Sequence, residues 1–570
     1  MMQQVKARPE QALVQYSHWP RRLPRQLEIP RTSLWFNLEV AATRYPDKVA
    51  THYLGATLSY GELGRQALAL AGWLQAQGLQ RGERVALFMQ NCPQFLIAFY
   101  AVNRADAVVV PVNPMNREDE FGHYLTDPET RVVICSAELA GVVAAAAERL
   151  PEAARPRLLV THYADQLPEA AVQAESGAPE AMLSWLNARH PLPAGATPWT
   201  QALAAGHAPG PHRTGPDDLA LLPYTSGTTG LPKGCLHTNA TLMSNACGGG
   251  QWGYASAESI GLAVVPMFHI TGLLYGVLGP VFMGMSMVIM PRWDRELCGR
   301  LISRYQVTHW TCIPTMIIDL FASPNYRQFQ LGSLKYLSGG GAAMPQAVAE
   351  RLQQEFGLTF AEGYGLTETA APSHGNPPER AKLQCLGIPI FGVDSRIIDP
   401  ATLEELPVSE VGEIITHGPM VFQGYWRQPE ATEAAFVELD GKRFFRTGDL
   451  GRMDEEGYFF ITDRLKRMIN ASGYKVWPSE VEALLYRHPA VQEACVIAAK
   501  DAYRGETVKA VVVLRAEARG QTAEQDIVTW AHEHMAAYKA PRIVEFAAAL
   551  PKSGSGKVMW RLLQEKEQAG

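Results

Sequence analysis

The chain has 570 residues, more than one hydrophobic core accommodates, since single cores stop growing at roughly 250–300 residues, so at least two domains are expected. Its 51 Lys and Arg stand against 57 Asp and Glu, a net charge of −6 that leaves no basic footprint for nucleic acid. Eight cysteines with no Cys-x-x-Cys pair and no histidine cluster at metal-ligand spacing exclude a zinc framework and suit reduced thiols in the cytoplasm, and residues 1–15 lack the apolar core of a signal peptide.

From residue 84 onward, short apolar or β-branched runs alternate with stretches at helical spacing: strands over 85–89, 107–112 and 132–135, helices over 93–103, 118–125 and 138–150. Such alternation predicts right-handed crossovers and a largely parallel sheet. Between 165 and 217 the periodicity fades into Ala, Pro, Gly and Glu, apart from a short helical piece near 182–187, and an irregular surface excursion is expected. Residues 1–34 carry no readable signal.

A strand over 219–222 runs into Tyr224-Thr-Ser-Gly-Thr-Thr-Gly-Leu-Pro-Lys-Gly234, and a helix follows over 239–246. Gly227, Gly230 and Gly234 let backbone N–H groups approach an anion closely. Thr225, Ser226, Thr228 and Thr229 add hydroxyls, and Lys233 adds a mobile cation. A P-loop NTPase needs Ser or Thr directly after the lysine to hold magnesium. Here Pro232 precedes Lys233 and Gly234 follows it, which excludes that reading.

Residues 261–290 approach the length of a membrane span, with His269 as the one group that titrates near neutral pH. Pro266, Pro280 and several glycines divide them into strand 262–265, helix 272–282 and strand 286–290, the pattern of a sheet covered on both faces. No transmembrane segment is therefore expected, although peripheral membrane contact stays open. Helices over 296–305, 315–321 and 345–356 and strands over 308–313 and 334–337 continue the alternation.

Three further motifs each follow a predicted strand, which places them beyond the carboxyl ends of the strands, where open α/β sheets bind ligands. Ser338-Gly-Gly-Gly-Ala342 permits close approach of a flat ring through Gly339, Gly340 and Gly341. Glu362-Gly-Tyr-Gly-Leu-Thr-Glu-Thr369 offers Tyr364 for stacking, freed by Gly363 and Gly365, with Thr367 for a phosphate and Glu368 for magnesium. Phe445-Arg-Thr-Gly-Asp-Leu450 sets Asp449 beside a Gly turn, flanked by antiparallel strands over 412–416 and 458–461. Beyond it lies a compact α+β unit with helices over 478–487 and 527–535 and strands over 491–498, 507–514 and 542–546.

In this order along the chain the motifs resemble those of the adenylate-forming superfamily: acyl-CoA synthetases, peptide-synthetase adenylation domains and luciferases. The resemblance implies an α/β fold with a large multi-layered N-terminal domain, 1–462, of mostly parallel sheets and helices plus a small β-barrel-like part. A hinge at 463–466, with Asp463 and Lys466, would lead to a small mobile α+β C-terminal domain, 467–570. It implies ATP, Mg2+ and coenzyme A as ligands, with metal contacts at Thr225 and Glu368 and nucleotide contacts at 225–230, Lys233, 339–341, 362–365, Thr367, Asp449, Ile461 and Arg464. Lys557, in Pro551-Lys-Ser-Gly-Ser-Gly-Lys557, resembles the adenylation lysine, and Ser472, Gly473 and Tyr474 resemble the segment that meets the pantetheine arm.

The family's amino-acid-activating members carry an aspartate where this chain has His269, and a buried ammonium without a carboxylate is costly. With an apolar helix over 272–282, Ile313 and residues 316–318 around it, the pocket favours a fatty or aryl acid. The texture most resembles medium- and long-chain fatty acyl-CoA synthetases. Aryl-CoA ligation, loading of a carrier protein, and a non-catalytic nucleotide- or acyl-binding protein are the alternatives. A monomer or homodimer is expected.

Overall fold

The strands expected from alternating runs form two large sheets. In the computed structural model, which describes residues 3–5, 9–225, 231–340, 344–464, 467–471, 474–501, 505–553 and 558–569, the chain divides into two units. The first takes in Tyr16–Asp394 and Thr416–Phe436, the second Gln3–Gln15, Ser395–Ile415 and Val437 onward.

The first unit holds a seven-stranded and a nine-stranded sheet. The seven strands run in the order His237–Thr238, Leu219–Leu221, Val108–Pro111, Arg84–Phe88, Thr130–Ser136, Arg157–Thr161 and Thr197–Pro198, parallel except for the first pair. The helix Pro93–Arg104 starts with Pro93 where no N–H is needed and buries each residue from 93 to 103. In the nine-stranded sheet the centre is parallel, in the order Phe360–Leu366, Tyr336–Gly339, His309–Cys312, Ile260–Ala263, Ser286–Ile289 and Val49–Tyr53, with antiparallel strands at both edges.

The apolar stretch over 261–290 thus supplies two central strands and the helical run between them. That run starts as Ile270–Leu273, widens into a π turn at Leu274–Leu278 and ends as Gly279–Met283. Among the described residues no helix is long and apolar enough to cross a membrane.

The excursion over 165–217 is more ordered than its composition suggests. Helices Ala170–Ala174 and Glu180–Asn187 are followed by the strand Thr197–Pro198, which extends the seven-stranded sheet, and by the helix Trp199–Ala204. Backbone pairing and a few buried side chains, Leu186 at 0% and Trp199 at 1% exposure among them, anchor it. Such scattered apolar anchors bury surface in an otherwise polar segment, and an average over composition hides them.

In the second unit a six-stranded sheet combines Asp394–Ile398, Gly412–His417, Phe436–Leu439, Lys442–Met453 and Phe459–Arg464 with Gln3–Gln4, which pairs in parallel with Phe436–Leu439. Residues 3–5 and 9–15, unreadable as sequence, therefore have a structural job. On the helix Pro9–Val14, buried Gln11 donates through Nε2 to the Ile397 carbonyl (3.0 Å) and accepts from the Ile397 N–H (2.8 Å), as a strand neighbour would. A five-stranded sheet built on Val491–Asp501 and Gly505–Leu514 packs Val496, Val508, Val512 and Ile527 into the unit's second core.

Candidate active site

Register brings two of the glycine motifs side by side. Cys312 pairs with Gly339, and Gly339 with Glu362, so Ile313, Gly340 and Gly363 leave three adjacent strands at the same edge. A Cβ on Gly340 would lie 2.4 Å from the Gly363 carbonyl oxygen, and one on Gly339 would lie 1.8 Å from that of Cys312. No other residue type fits either position. Glu362 is buried and accepts the N–H groups of Gln384 (2.9 Å) and Met344 (3.4 Å). Burial pushes its carboxyl up to about 7 against the pull of those two donors. Tyr364 stands 5.5 Å, ring to ring, from buried His374 on the neighbouring strand.

The flanks of the glycine-threonine loop form an antiparallel ladder with Thr225 opposite Lys233. Residues 422–426 run alongside its return strand. The N–H of Trp426 reaches the Gly234 carbonyl (2.8 Å), that of Leu236 reaches Gly424 (2.9 Å), and that of Phe422 reaches the carbonyl of Glu368 (2.8 Å). This ribbon delivers Tyr425 between two predicted site residues. The Lys233 ammonium sits 5.1 Å from the centre of its ring, and its hydroxyl donates to Oε1 of Glu368 at 3.0 Å. Burial, then the Glu368 charge, pushes the Tyr425 phenol up, so it remains a donor across the working pH range. Nε2 of His237, fully buried, donates to the Thr367 carbonyl at 2.7 Å. The loop's return strand, Thr367 and Glu368 are therefore one connected assembly. His269, on the same unit, opens the helix Ile270–Leu273 and accepts the Thr271 N–H through Nδ1 (3.3 Å).

In the second unit, Asp449 pairs in register with Arg464, and Gly451 with Ile461. The sequence sets Asp449 beside a turn. It lies instead within the strand Lys442–Met453, fully buried, next to Gly448, whose φ of +68° puts a local kink in the strand. Ile461 is exposed. Asp463 is buried, and its Oδ2 accepts the Ser479 N–H (2.7 Å) at the start of the helix Pro478–Leu485. Arg464 and Tyr474 are described through their backbone, in the strands Phe459–Arg464 and Tyr474–Val476. Ser226, Gly227, Thr228, Thr229, Gly230, Gly341, Lys466, Ser472, Gly473 and Lys557 lie outside the described residues.

The family described as AMP-binding enzyme matches residues 38–426, and its C-terminal domain matches 480–557. The chain belongs to the AMP-binding enzyme family. It is 35% identical to a long-chain-fatty-acid–CoA ligase of Bacillus subtilis over 564 residues, 97% of each chain. A feruloyl-CoA synthase of Amycolatopsis is 34% identical over 518 residues, 90% of this chain and 95% of that one. The crystal structure of ATP-bound MatB from Rhodopseudomonas palustris superposes with a TM-score of 0.79 at 29% identity, covering 94% of this chain and 99% of that one.

In this AMP-binding enzyme, sequence reasoning misses Tyr425 and His237. Tyr425 carries a faint signal, a Gly-Tyr-Trp triplet in a polar stretch, and His237 carries none. Among the residues expected to wall the acid pocket, Ile318 is 40% exposed, because the helix Pro314–Phe321 turns that side outward while burying Met316 and Ile317.

The buried histidines predict acid sensitivity. Burial holds His237 down to about 4 and His374 down to about 3, against 6.5 for a free imidazole. Below pH 6.5 the unfolded chain takes up protons that the folded chain refuses, so stability falls with falling pH until the folded values are reached. Glu362, with its folded value raised, acts in the opposite sense, losing stability as pH rises from 4.5 through about 7. For His237 the loss at pH 5 is about 2 kcal/mol. His237→Gln keeps a donor for Thr367 and leaves Glu362 unchanged. Thermal denaturation at pH 7 and pH 5 should therefore show a smaller acid-induced drop in Tm in this variant than in the wild type; equal drops would refute the assignment.

Proposed function

We propose that this chain is an AMP-forming acyl-CoA synthetase that activates a medium- or long-chain fatty acid. The substrate carboxylate attacks the α-phosphorus of ATP, the bond to the bridging oxygen breaks, and pyrophosphate leaves. The thiol of CoA then attacks the acyl carbon, the bond to the phosphate oxygen breaks, and AMP leaves with loss of the thiol proton. The observation that carries this reading is the linked set Thr225, Lys233, Tyr425, Glu368 and Thr367 on one assembly, in a chain related over nearly its whole length to fatty acyl-CoA ligases.

The first step brings an anion onto a polyanion; two unit charges ~4 Å apart repel by ~4 kcal/mol at an effective dielectric of ~20. Lys233 supplies positive charge, and the buried carboxylate of Glu368 suits magnesium, which is usually held by one or two carboxylates plus substrate phosphates. Glu368 and Thr225 would hold the ion, which shields phosphate charge when bound. Tyr425 orients the Glu368 carboxylate, and His237 holds the backbone before it. Asp449 and Arg464 serve the ribose, and a swing about 463–466 exchanges Lys557 for the Gly473 segment between the two steps.

A cavity of about 40 Å³ lies beneath the same sheet edge, lined by Gly249, Tyr275, Met285, Met287, His309 and Tyr336 among others. Met287, Gly261, His309 and Tyr336 form one row of register partners across four strands. Thr311 and Ser338 lie two residues further along their strands on the same face, and Ile313 and Gly340 two further still. From Tyr336 to Gly340 the rise is roughly 13 Å, the reach of an extended alkyl chain of about ten carbons at ~1.25 Å per methylene, the projection of a C–C bond of about 1.5 Å. Release of AMP and pyrophosphate, measured with a panel of acids with and without CoA, tests the reading, and no AMP from any acid would refute it. The panel should peak among medium- or long-chain acids. Met287→Ala, which lowers the floor, should raise kcat/KM for chains two methylenes longer about tenfold relative to the wild-type optimum, at ~0.8 kcal/mol per buried methylene. The rings of Tyr275, His309 and Tyr336 favour a second reading, an aryl acid, which hydroxycinnamic acids in the same panel would reveal. The free buried thiols suit the reducing cytoplasm.

A further inference from the structure

Thr225 and Lys233 face each other across a two-residue ladder, too short to hold its own geometry. What fixes it comes from a sequence-remote helix, Glu118–Thr126, and the residue that ends it, Asp127. Oδ2 of Asp127 accepts the hydroxyl of Tyr224, next to Thr225, at 2.5 Å. One turn earlier, Nε2 of His123 stands 2.8 Å from the carbonyl of Pro232, next to Lys233, and donates to it. The rings close the gap between these two anchors: His123, Tyr124 and Tyr224 pack edge to face at 5.5 and 4.9 Å from the Tyr224 ring. The carbonyl of Asp127 also accepts the indole N–H of Trp426 at 2.9 Å, and Trp426 adjoins the Tyr425 that reaches Glu368. Helix end, both loop flanks and the Tyr425 ribbon thus meet at two residues. Neither residue touches the predicted site directly, and nothing in the catalytic chemistry requires an acid and an imidazole at this place.

We propose that His123 and Asp127 are positioning residues for adenylation, clasping the two flanks of the glycine-threonine loop so that the Thr225 hydroxyl and the Lys233 ammonium stand at a fixed separation for the phosphates of ATP. This rests on the proposed function. The clasp acts on the half-reaction that handles the triphosphate. It has no part in thioester formation from a finished acyl-adenylate, where the β- and γ-phosphates have gone.

The test uses the full-length chain and four variants: Asp127→Ala, Tyr224→Phe, His123→Ala and His123→Gln. Asp127→Ala and Tyr224→Phe remove the same bond from opposite sides. Tyr224→Phe removes a single oxygen and keeps the ring packing, so it preserves the fold. Expected are a rise in KM for ATP of about tenfold in the first three variants, the same rise in the Asp127→Ala/Tyr224→Phe double variant as in either single one, and recovery in His123→Gln, whose amide still reaches Pro232. The rate with supplied acyl-adenylate and CoA should stay within about twofold of wild type. An unchanged KM for ATP in Tyr224→Phe and His123→Ala, or a parallel fall of both half-reactions together with Tm, would reduce the clasp to fold support and overturn the inference. Wild-type protein that releases no AMP with any acid would instead sink the proposed function, and the inference with it.

Discussion

Lys557→Ala should stop acyl-adenylate formation while leaving thioester formation from supplied acyl-adenylate intact. The lysine closes the Gly- and Ser-rich sequence Ser553-Gly-Ser-Gly-Lys557. In the proposed mechanism its charge would be needed only while the carboxylate and the α-phosphate are brought together. Removing one preorganised donor to a developing charge costs roughly 10²–10³ in rate, so pyrophosphate release should fall by that factor. Under the proposed scheme the second step, in which a thiol displaces AMP, would draw on Ser472, Gly473 and Tyr474, which would take the place of Lys557 after a swing about 463–466. Stopped assays of each half-reaction separate the two. Equal loss of both would rule out the exchange.

Glu368→Gln should cost nearly as much, for a different reason. The side chain is 8% exposed and accepts the Tyr425 hydroxyl. The amide keeps that acceptor and the shape, so Tm should move little, while the negative charge that suits magnesium disappears. Adenylation should drop by about 10²-fold or more, and the magnesium concentration that gives half-maximal pyrophosphate release should rise. A variant that retains wild-type turnover and magnesium dependence would mean that the carboxylate serves only to hold Tyr425.

Much of this arrangement is legible in the amino-acid sequence itself. The glycine-threonine loop, the Glu362–Thr369 segment and the parallel sheets are written in local pattern, because each depends on residue types at short spacing. What escapes is contributed from afar. Tyr425 reaches Glu368 only because the backbone of 422–426 pairs with the loop's return strand, and the ends of Tyr224 and Pro232 are held by a helix a hundred residues earlier. Such contacts leave no period or motif. Asp449 shows the converse error: a Gly-Asp pair reads as a turn, yet Asp449 pairs with Arg464 within the strand Lys442–Met453, and the positive φ of Gly448 is only a local kink in it. Residues 3–15 are silent because their signal is two glutamine side chains, Gln11 and Gln15, bonded to the backbone of a strand about 380 residues away.

The helix Asn239–Trp252 carries Gly248, Gly249 and Gly250 in succession, each costing about 1 kcal/mol relative to alanine in a helix interior. Its wall against the cavity is bare for that reason: a methyl on Gly250 would meet Met283 at 2.7 Å, and one on Gly249 would touch the Tyr275 ring at 3.5 Å. Helix stability and cavity volume therefore compete at Gly249, where a methyl would find ordinary contact while filling cavity space. A library selected for survival at high temperature alone would drift toward alanine at Gly249 and, if this cavity takes the acyl chain as proposed, toward smaller acids.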